Sequence, residues 1–203
     1  MRPRVNKFAT LNARHLGVPL QLTWYKDLEL KNFVKLTTMW EKGEEIKPTF
    51  VITGFGLHWM KNRPLPVGFH YRNFFTNLVP HLSRLASTVP VFFKLVDYVI
   101  LAMRRKNTST GINFQATEMY NDIARQLLQG TGVVLWDSTL PLSVIYANEC
   151  MKTRRLTPIT YDWKCHDVNH LGYIMLEQYA DMVYNGICNR YLDLSDEYCN
   201  VNG

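Results

Sequence analysis

"PTFVITGFGLHWM", residues 48–60, is a nearly continuous apolar run that ends in two glycines and passes into a histidine and a tryptophan. An unbroken apolar run is what a strand buried on both faces of a parallel sheet requires, because neither face meets water. Glycines just past such a strand free the backbone to turn sharply and bring its N–H groups close to an anion or an oxyanion. A dinucleotide fingerprint is excluded by spacing: it needs a third glycine three residues after Gly56, where this chain has Trp59. The alternative without chemistry is a tight strand-to-helix turn in which His58 and Trp59 pack locally.

Outward from this stretch, short β-rich runs alternate with segments of 3.6 periodicity. Residues 19–25 (PLQLTWY) read as a strand and 30–40 as a helix. Residues 71–88 read as a helix with Phe75, Leu78, Val79, Leu82, Leu85 and Ala86 on one face. Residues 90–97 (PVFFKLVD) give a third strand, and 113–129 a helix through Met119, Ile123 and Leu127. Gly130 and Gly132 end that helix before a fourth strand at 133–137 (VVLWD). Residues 141–158 read as irregular or helical, and a last helix runs from about residue 170 to 188. This order predicts an α/β fold of three layers, α/β/α, around a mostly parallel sheet. Sites in such sheets gather beyond the carboxyl ends of the strands, here just after Tyr25, Gly54, Asp97 and Asp137. One domain is expected over 1–190, with a polar tail at 191–203.

With 47% hydrophobic and 20% charged residues, the 203-residue chain has the composition of an ordinary globular protein. Its formal charge is +6, but apart from short clusters at 104–106 and 152–155 the basic residues are scattered, so no nucleic-acid partner is expected. The 11 tyrosines, 10 phenylalanines and 5 tryptophans fall mostly inside apolar runs and read as core. The four cysteines, Cys150, Cys165, Cys188 and Cys199, have no metal-ligand spacing, and no metal site is expected. An even number is compatible with disulfides in an oxidising compartment, as is the sequon Asn107, Thr108, Ser109. Cys150 with Cys165 and Cys188 with Cys199 is one of three possible connectivities. No run reaches the roughly 18 apolar residues of a membrane span, and the first residues lack a signal peptide's apolar centre. A membrane is therefore expected as a partner only through a segment absent from this chain.

A second motif is "CHDVNHLG", residues 165–172. An aspartate three residues before a histidine lets the carboxylate reach the imidazole N–H, fix its tautomer and stabilise the imidazolium formed when it takes a proton. Asp167 and His170 would then be the base half of a hydroxyl-activating triad. The competing account is a helix cap, with Asp167 or Asn169 capping the last helix and His170 in its first turn.

Together with the alternating architecture, the two motifs resemble the SGNH/GDSL superfamily of acyl esterases and acyltransferases, a flavodoxin-like fold. The sequence is most similar to the PC-esterase branch, which holds plant xylan O-acetyltransferases and the lumenal domain of sialate O-acetyltransferases. The resemblance rests on "LTWYKDLELKNFVKLTTMWEKGEEIKPTFVITGFGLHWMK", "FFTNLVPHLSRLAST", "EMYNDIARQLL" and "DVNHLGYIMLEQYADMVYNGIC", in that order. The tryptophan after the glycine turn, the Tyr-Asn pair in the third helix and the His-Leu after the aspartate carry it most closely. It implies an O-acyl esterase or O-acetyltransferase acting on a glycan or a small molecule, with no cofactor beyond an acyl donor such as acetyl-CoA if transfer is the reaction. It implies Asp167 as orienting acid, His170 as general base, Gly54, Gly56 and His58 in the oxyanion region, and a place in the secretory pathway, in the Golgi lumen or outside the cell.

Two departures accompany the resemblance. The superfamily's oxyanion asparagine follows a glycine in a Gly-x-Asn pattern, whereas the matching residues here are Gly56, Leu57 and His58; a histidine donates one hydrogen bond in that place. No Gly-Asp-Ser occurs, and the six serines are 83, 87, 109, 138, 143 and 195. "RPRVNKFATLN" (2–12) looks like the helix that follows the family's Gly-Asp-Ser, so the first strand is expected to be missing together with the nucleophile. Alternatives are a catalytically inactive SGNH-like binding or interaction domain, with Asp167 as a cap and His58 buried among apolar groups, or a site in which Ser138 substitutes.

Overall fold

Strand β4 (Val91–Lys94) is the middle of a three-stranded parallel sheet, flanked by β3 (Val51–Thr53) and β5 (Val134–Trp136). The computed structural model describes residues 7–15, 18–27, 29–62, 67–99, 112–153, 165 and 170–188. They belong to two compact units, one of Met1–Val96 with Ser109–Asp137 and one of Asp97–Thr108 with Ser138–Gly203. Val51 pairs in register with Val91 and Thr53 with Phe93 across one ladder, and Phe93 with Leu135 across the other. Val91, Phe93 and Leu95 alternate into the core, and the half-buried Phe92 and Lys94 point the other way, as the pleat dictates.

Helices surround this sheet in the first unit. Helix α1 (Phe33–Glu41) buries Phe33, Leu36 and Trp40. The short α2 (Leu57–Asn62) follows the glycine turn, and α3 (Val67–Ala86) buries Tyr71, Phe75, Leu78, Leu82 and Leu85 at helical spacing. In α4 (Phe114–Leu128) the Asn113 side chain caps the first turn by accepting the Ala116 N–H at 2.8 Å, and Ala116, Tyr120, Ile123 and Ala124 are buried. The Phe55 ring, just past β3, lies 5.0–5.8 Å from the rings of Tyr71, Phe74, Phe75 and Phe93. The aromatic residues here are core, and the class is the three-layer α/β type predicted, with a parallel sheet and helices around it.

The first expected strand is corrected. Residues 19–25 do form β2 (Val18–Tyr25), but it pairs antiparallel with β1 (Lys7–His15) as a separate two-stranded sheet. The segment read as a helix start is therefore a strand from Lys7 onward. Leu11 pairs with Leu22 and Thr10 with Thr23, so like residue types stand opposite each other on successive rungs of the ladder. A two-residue separation between His15 and Val18 brings them together as a hairpin, and a parallel crossover would need a dozen residues or more.

The second unit contains α5 (Thr139–Thr153) and α6 (Tyr173–Cys188). The stretch left between irregular and helical is thus helical through Thr153. Pro141 sits in the first turn, where its missing N–H has no intrahelical acceptor to lose. The tail at 191–203 lies outside the described residues. Among those described, no helix is long and apolar enough to cross a membrane.

Candidate functional site

Gly54 and Gly56 are glycines because β4 and its extension approach too closely for any side chain. A Cβ on Gly54 would stand 2.5 Å from the Lys94 carbonyl oxygen, and one on Gly56 would stand 2.6 Å from Val96 Cγ2. Gly56 also has φ +151°, which L residues rarely adopt. The Gly56 carbonyl accepts from the Met60 N–H at 2.9 Å, so the turn leads directly into α2.

This turn rests on the Tyr-Asn pair of α4. Asn121, fully buried, accepts the Val96 N–H at 2.9 Å and donates to the Val96 carbonyl at 3.0 Å. Tyr120 is buried with its ring 4.1 Å from that of Tyr71, and its Cδ1 lies 3.5 Å from where a Gly56 Cβ would be. Tyr71 donates to the Phe55 carbonyl at 3.3 Å. Burial, then the neighbouring Tyr120, holds the Tyr71 phenol well above the ordinary tyrosine range, which keeps it a neutral donor.

His58 and Trp59 divide between the two readings of the turn. Trp59 is a packing residue: it is buried, its ring is 4.9 Å from Phe74, and its Nε1–H donates to the Glu29 carbonyl at 3.4 Å. His58, in the first turn of α2, is half-buried, whereas the binding-domain alternative has it buried among apolar groups.

His170 belongs to the second unit, where it is an exposed bend residue; Asp167 lies outside the described residues. Helix α6 does not begin at His170. The Gly172 carbonyl accepts from the Met175 and Leu176 N–H groups at 3.0 and 3.3 Å, which makes Gly172 the residue at the cap. Gly172 in turn donates its own N–H to the Tyr146 hydroxyl at 2.7 Å. Cys165, at the other end of the motif, is bonded to Cys150.

A further cluster in this unit was not singled out as a site from the sequence. The carboxylate of Asp97 accepts from Thr139 Oγ1 at 3.1 Å and from the Tyr179 hydroxyl at 3.0 Å, both on the same oxygen. Burial, then Asp97, pushes the Tyr179 phenol far above its usual range. The only sequence signal was position, since Asp97 follows a strand's carboxyl end; the tyrosine partner is 82 residues away.

Of the described serines, Ser83, Ser87 and Ser143 donate to backbone carbonyls. Ser143 is fully buried, donating to the Leu140 carbonyl at 2.8 Å and accepting the Tyr98 N–H at 3.2 Å, so it has no lone role as a nucleophile. Ser83 and Ser87 donate to the carbonyls of Thr131 and Arg84. Ser138 is exposed and lies 3.7 Å from Met182 Sδ. Among the described residues no group of three histidines, cysteines or acids is placed to hold a metal ion. Comparison with the models of known families, with curated proteins and with solved structures finds no match.

Proposed function

We propose that this chain is an SGNH-type domain of an O-acyl esterase or O-acetyltransferase acting on a glycan in the secretory pathway, with its serine nucleophile supplied from outside these 203 residues. In this reading His170 takes the proton of the attacking hydroxyl and returns it to the leaving group, Asp167 orients His170, and the Gly54 to Gly56 turn with His58 faces the developing oxyanion. The reaction then needs no cofactor except, for transfer, an acyl donor such as acetyl-CoA.

The observation that carries the reading is the start of α6. With Gly172 at the cap, His170 is not in the first turn of α6 as the capping account has it, and it stands exposed ahead of the helix. The half-buried His58 and the glycine turn at a strand's carboxyl end support it, and the Cys150–Cys165 disulfide supports the oxidising compartment.

The test is to read the in-frame codons upstream of Met1 and to assay the longest encoded protein against acetylated glycans. A Gly-Asp-Ser at the end of an apolar strand is expected, with ester cleavage or acetyl transfer that falls by roughly 10³-fold or more in His170→Ala. A protein without an upstream serine block and without activity would mean an inactive binding or interaction domain instead, and activity that ignores His170→Ala would overturn His170 as the general base.

A further inference from the structure

Helix α5 presents one stripe, Thr139, Ser143, Tyr146 and Cys150, at the i, i+4, i+7, i+11 spacing usually filled by aliphatic residues. All four are buried, the first two tied to residues 97–98 and the last two to the 165–172 stretch. Thr139 donates to Asp97, Ser143 accepts the Tyr98 N–H, Tyr146 accepts the Gly172 N–H, and Cys150 is bonded to Cys165. The last two ties, one helical turn apart on α5, hold the two ends of the 165–172 stretch that contains His170.

The Tyr146 tie is not a generic packing contact. A buried phenol hydroxyl needs a partner, and the Gly172 N–H, at the cap of α6, has no partner within that helix, so each satisfies the other at 2.7 Å away from water. The same Gly172 opens α6 through its carbonyl, two residues after His170. Where His170 leaves the bend therefore depends on Gly172, and Gly172 depends on Tyr146.

We propose that Tyr146 is a positioning residue for His170: its bond to the Gly172 N–H, backed by the Cys150–Cys165 bond one turn along the same helix, sets how the His170 imidazole is presented ahead of α6. This rests on the reading of His170 as the general base. In this proposal the phenol acts through the Gly172 backbone N–H.

The test uses the full 203-residue chain with its disulfide formed, ¹⁵N-labelled and carrying ¹³C at the histidine Cε1 positions. His170→Gln assigns the His170 signal by its disappearance. In the unsubstituted chain the Gly172 amide is expected to exchange with solvent at least about tenfold more slowly than an open amide. Tyr146→Phe is expected to speed that exchange about fivefold or more and to move the His170 resonance. The signals of His70 and His81, both on α3, should stay in place. A Tyr146→Phe chain with unchanged His170 and Gly172 signals overturns the proposal. If Tyr146→Phe disturbs His70 and His81 as well, the unsubstituted chain decides. A Gly172 amide exchanging at the open rate overturns the proposal, and a protected one whose protection falls in the Cys150→Ala, Cys165→Ala pair supports it. None of these readouts involves ester cleavage, so a failed esterase assay and a failed clamp remain separate results.

Discussion

Asn121 stands in for a neighbouring strand beside Val96: its carboxamide oxygen takes the Val96 N–H at 2.9 Å and its nitrogen gives to the Val96 carbonyl at 3.0 Å. Val96 lies just past β4, and its side chain fills the space that Gly56 leaves open. Asn121→Ala would strand two part-buried backbone groups at about 1–3 kcal/mol each, so a loss of about 2–6 kcal/mol is expected from urea unfolding. Asn121→Asp, which keeps the acceptor and loses the donor, should fall between. An Asn121→Ala chain as stable as the original would show that Val96 finds other partners.

Gly56 and Gly186 respond oppositely to the same added methyl group. At Gly56 the methyl meets Val96 Cγ2 at 2.6 Å on a backbone with φ +151°, so Gly56→Ala should destabilise by about 2 kcal/mol or more. At Gly186, inside α6 with nothing within 4 Å, Gly186→Ala should stabilise by roughly 0.5–1 kcal/mol through helix propensity. Thermal melts of the two variants check both signs at once.

What the sequence allowed to be read follows from how each element is buried. Strand β4 and helices α3 and α4 bury aliphatic and aromatic residues at clean period, and residues such as Phe75, Leu82 and Phe93 announce themselves, whereas the flanking β3 and β5, equally apolar in sequence, expose Ile52 and Val134. Helix α5 was ambiguous because its buried stripe is Thr139, Ser143, Tyr146 and Cys150, whose burial depends on tertiary partners that no local window contains. Strand β2 reads as part of the parallel sheet because a strand's pattern does not say whether its partner is parallel or antiparallel, and the β1 segment reads as a helix start through the family resemblance. Of the candidate site, the glycine turn was legible from spacing alone. The Tyr120 and Asn121 pair was noticed through resemblance, and its work, bracing Val96 against Gly56, needed coordinates. The Asp97 and Tyr179 contact joins residues 82 apart and had no local signature.

The Cys150–Cys165 bond closes a sequence separation of 15, for which chain-entropy reasoning gives about 3 kcal/mol of stabilisation. Replacing both cysteines by alanine should lower stability by about that amount. Peptide mapping of the unreduced chain should recover residues 150 and 165 in one cross-linked fragment. Recovery of both thiols free in protein secreted from cells would remove this support for a lumenal location.

Asn107, Thr108 and Ser109 form a sequon outside the described residues. A chain that matures in the compartment where Cys150 and Cys165 pair should carry a glycan at Asn107. The expected result is a single-step gel shift, removed by peptide-N-glycosidase and absent from Asn107→Gln. An unshifted secreted chain would leave the disulfide as the sole sign of that compartment.

Tyr71 and Tyr179 give stability an alkaline edge. Both phenols are held above the ordinary tyrosine value near 10, Tyr71 mainly by burial and Tyr179 by burial and then by the Asp97 carboxylate. The folded chain thus keeps these protons when the unfolded chain has begun to release them. Stability is therefore full below about pH 10 and declines as pH rises above it, because the unfolded state then binds fewer protons. Tyr179→Phe should cost about 1–3 kcal/mol below pH 10, where the hydrogen bond to Asp97 is lost, and should make the decline above pH 10 shallower. Phenolate absorbance followed alongside urea midpoints separates the two effects. If Tyr179 titrated with the exposed tyrosines while the chain stayed folded, its contact with Asp97 would not be closed in solution.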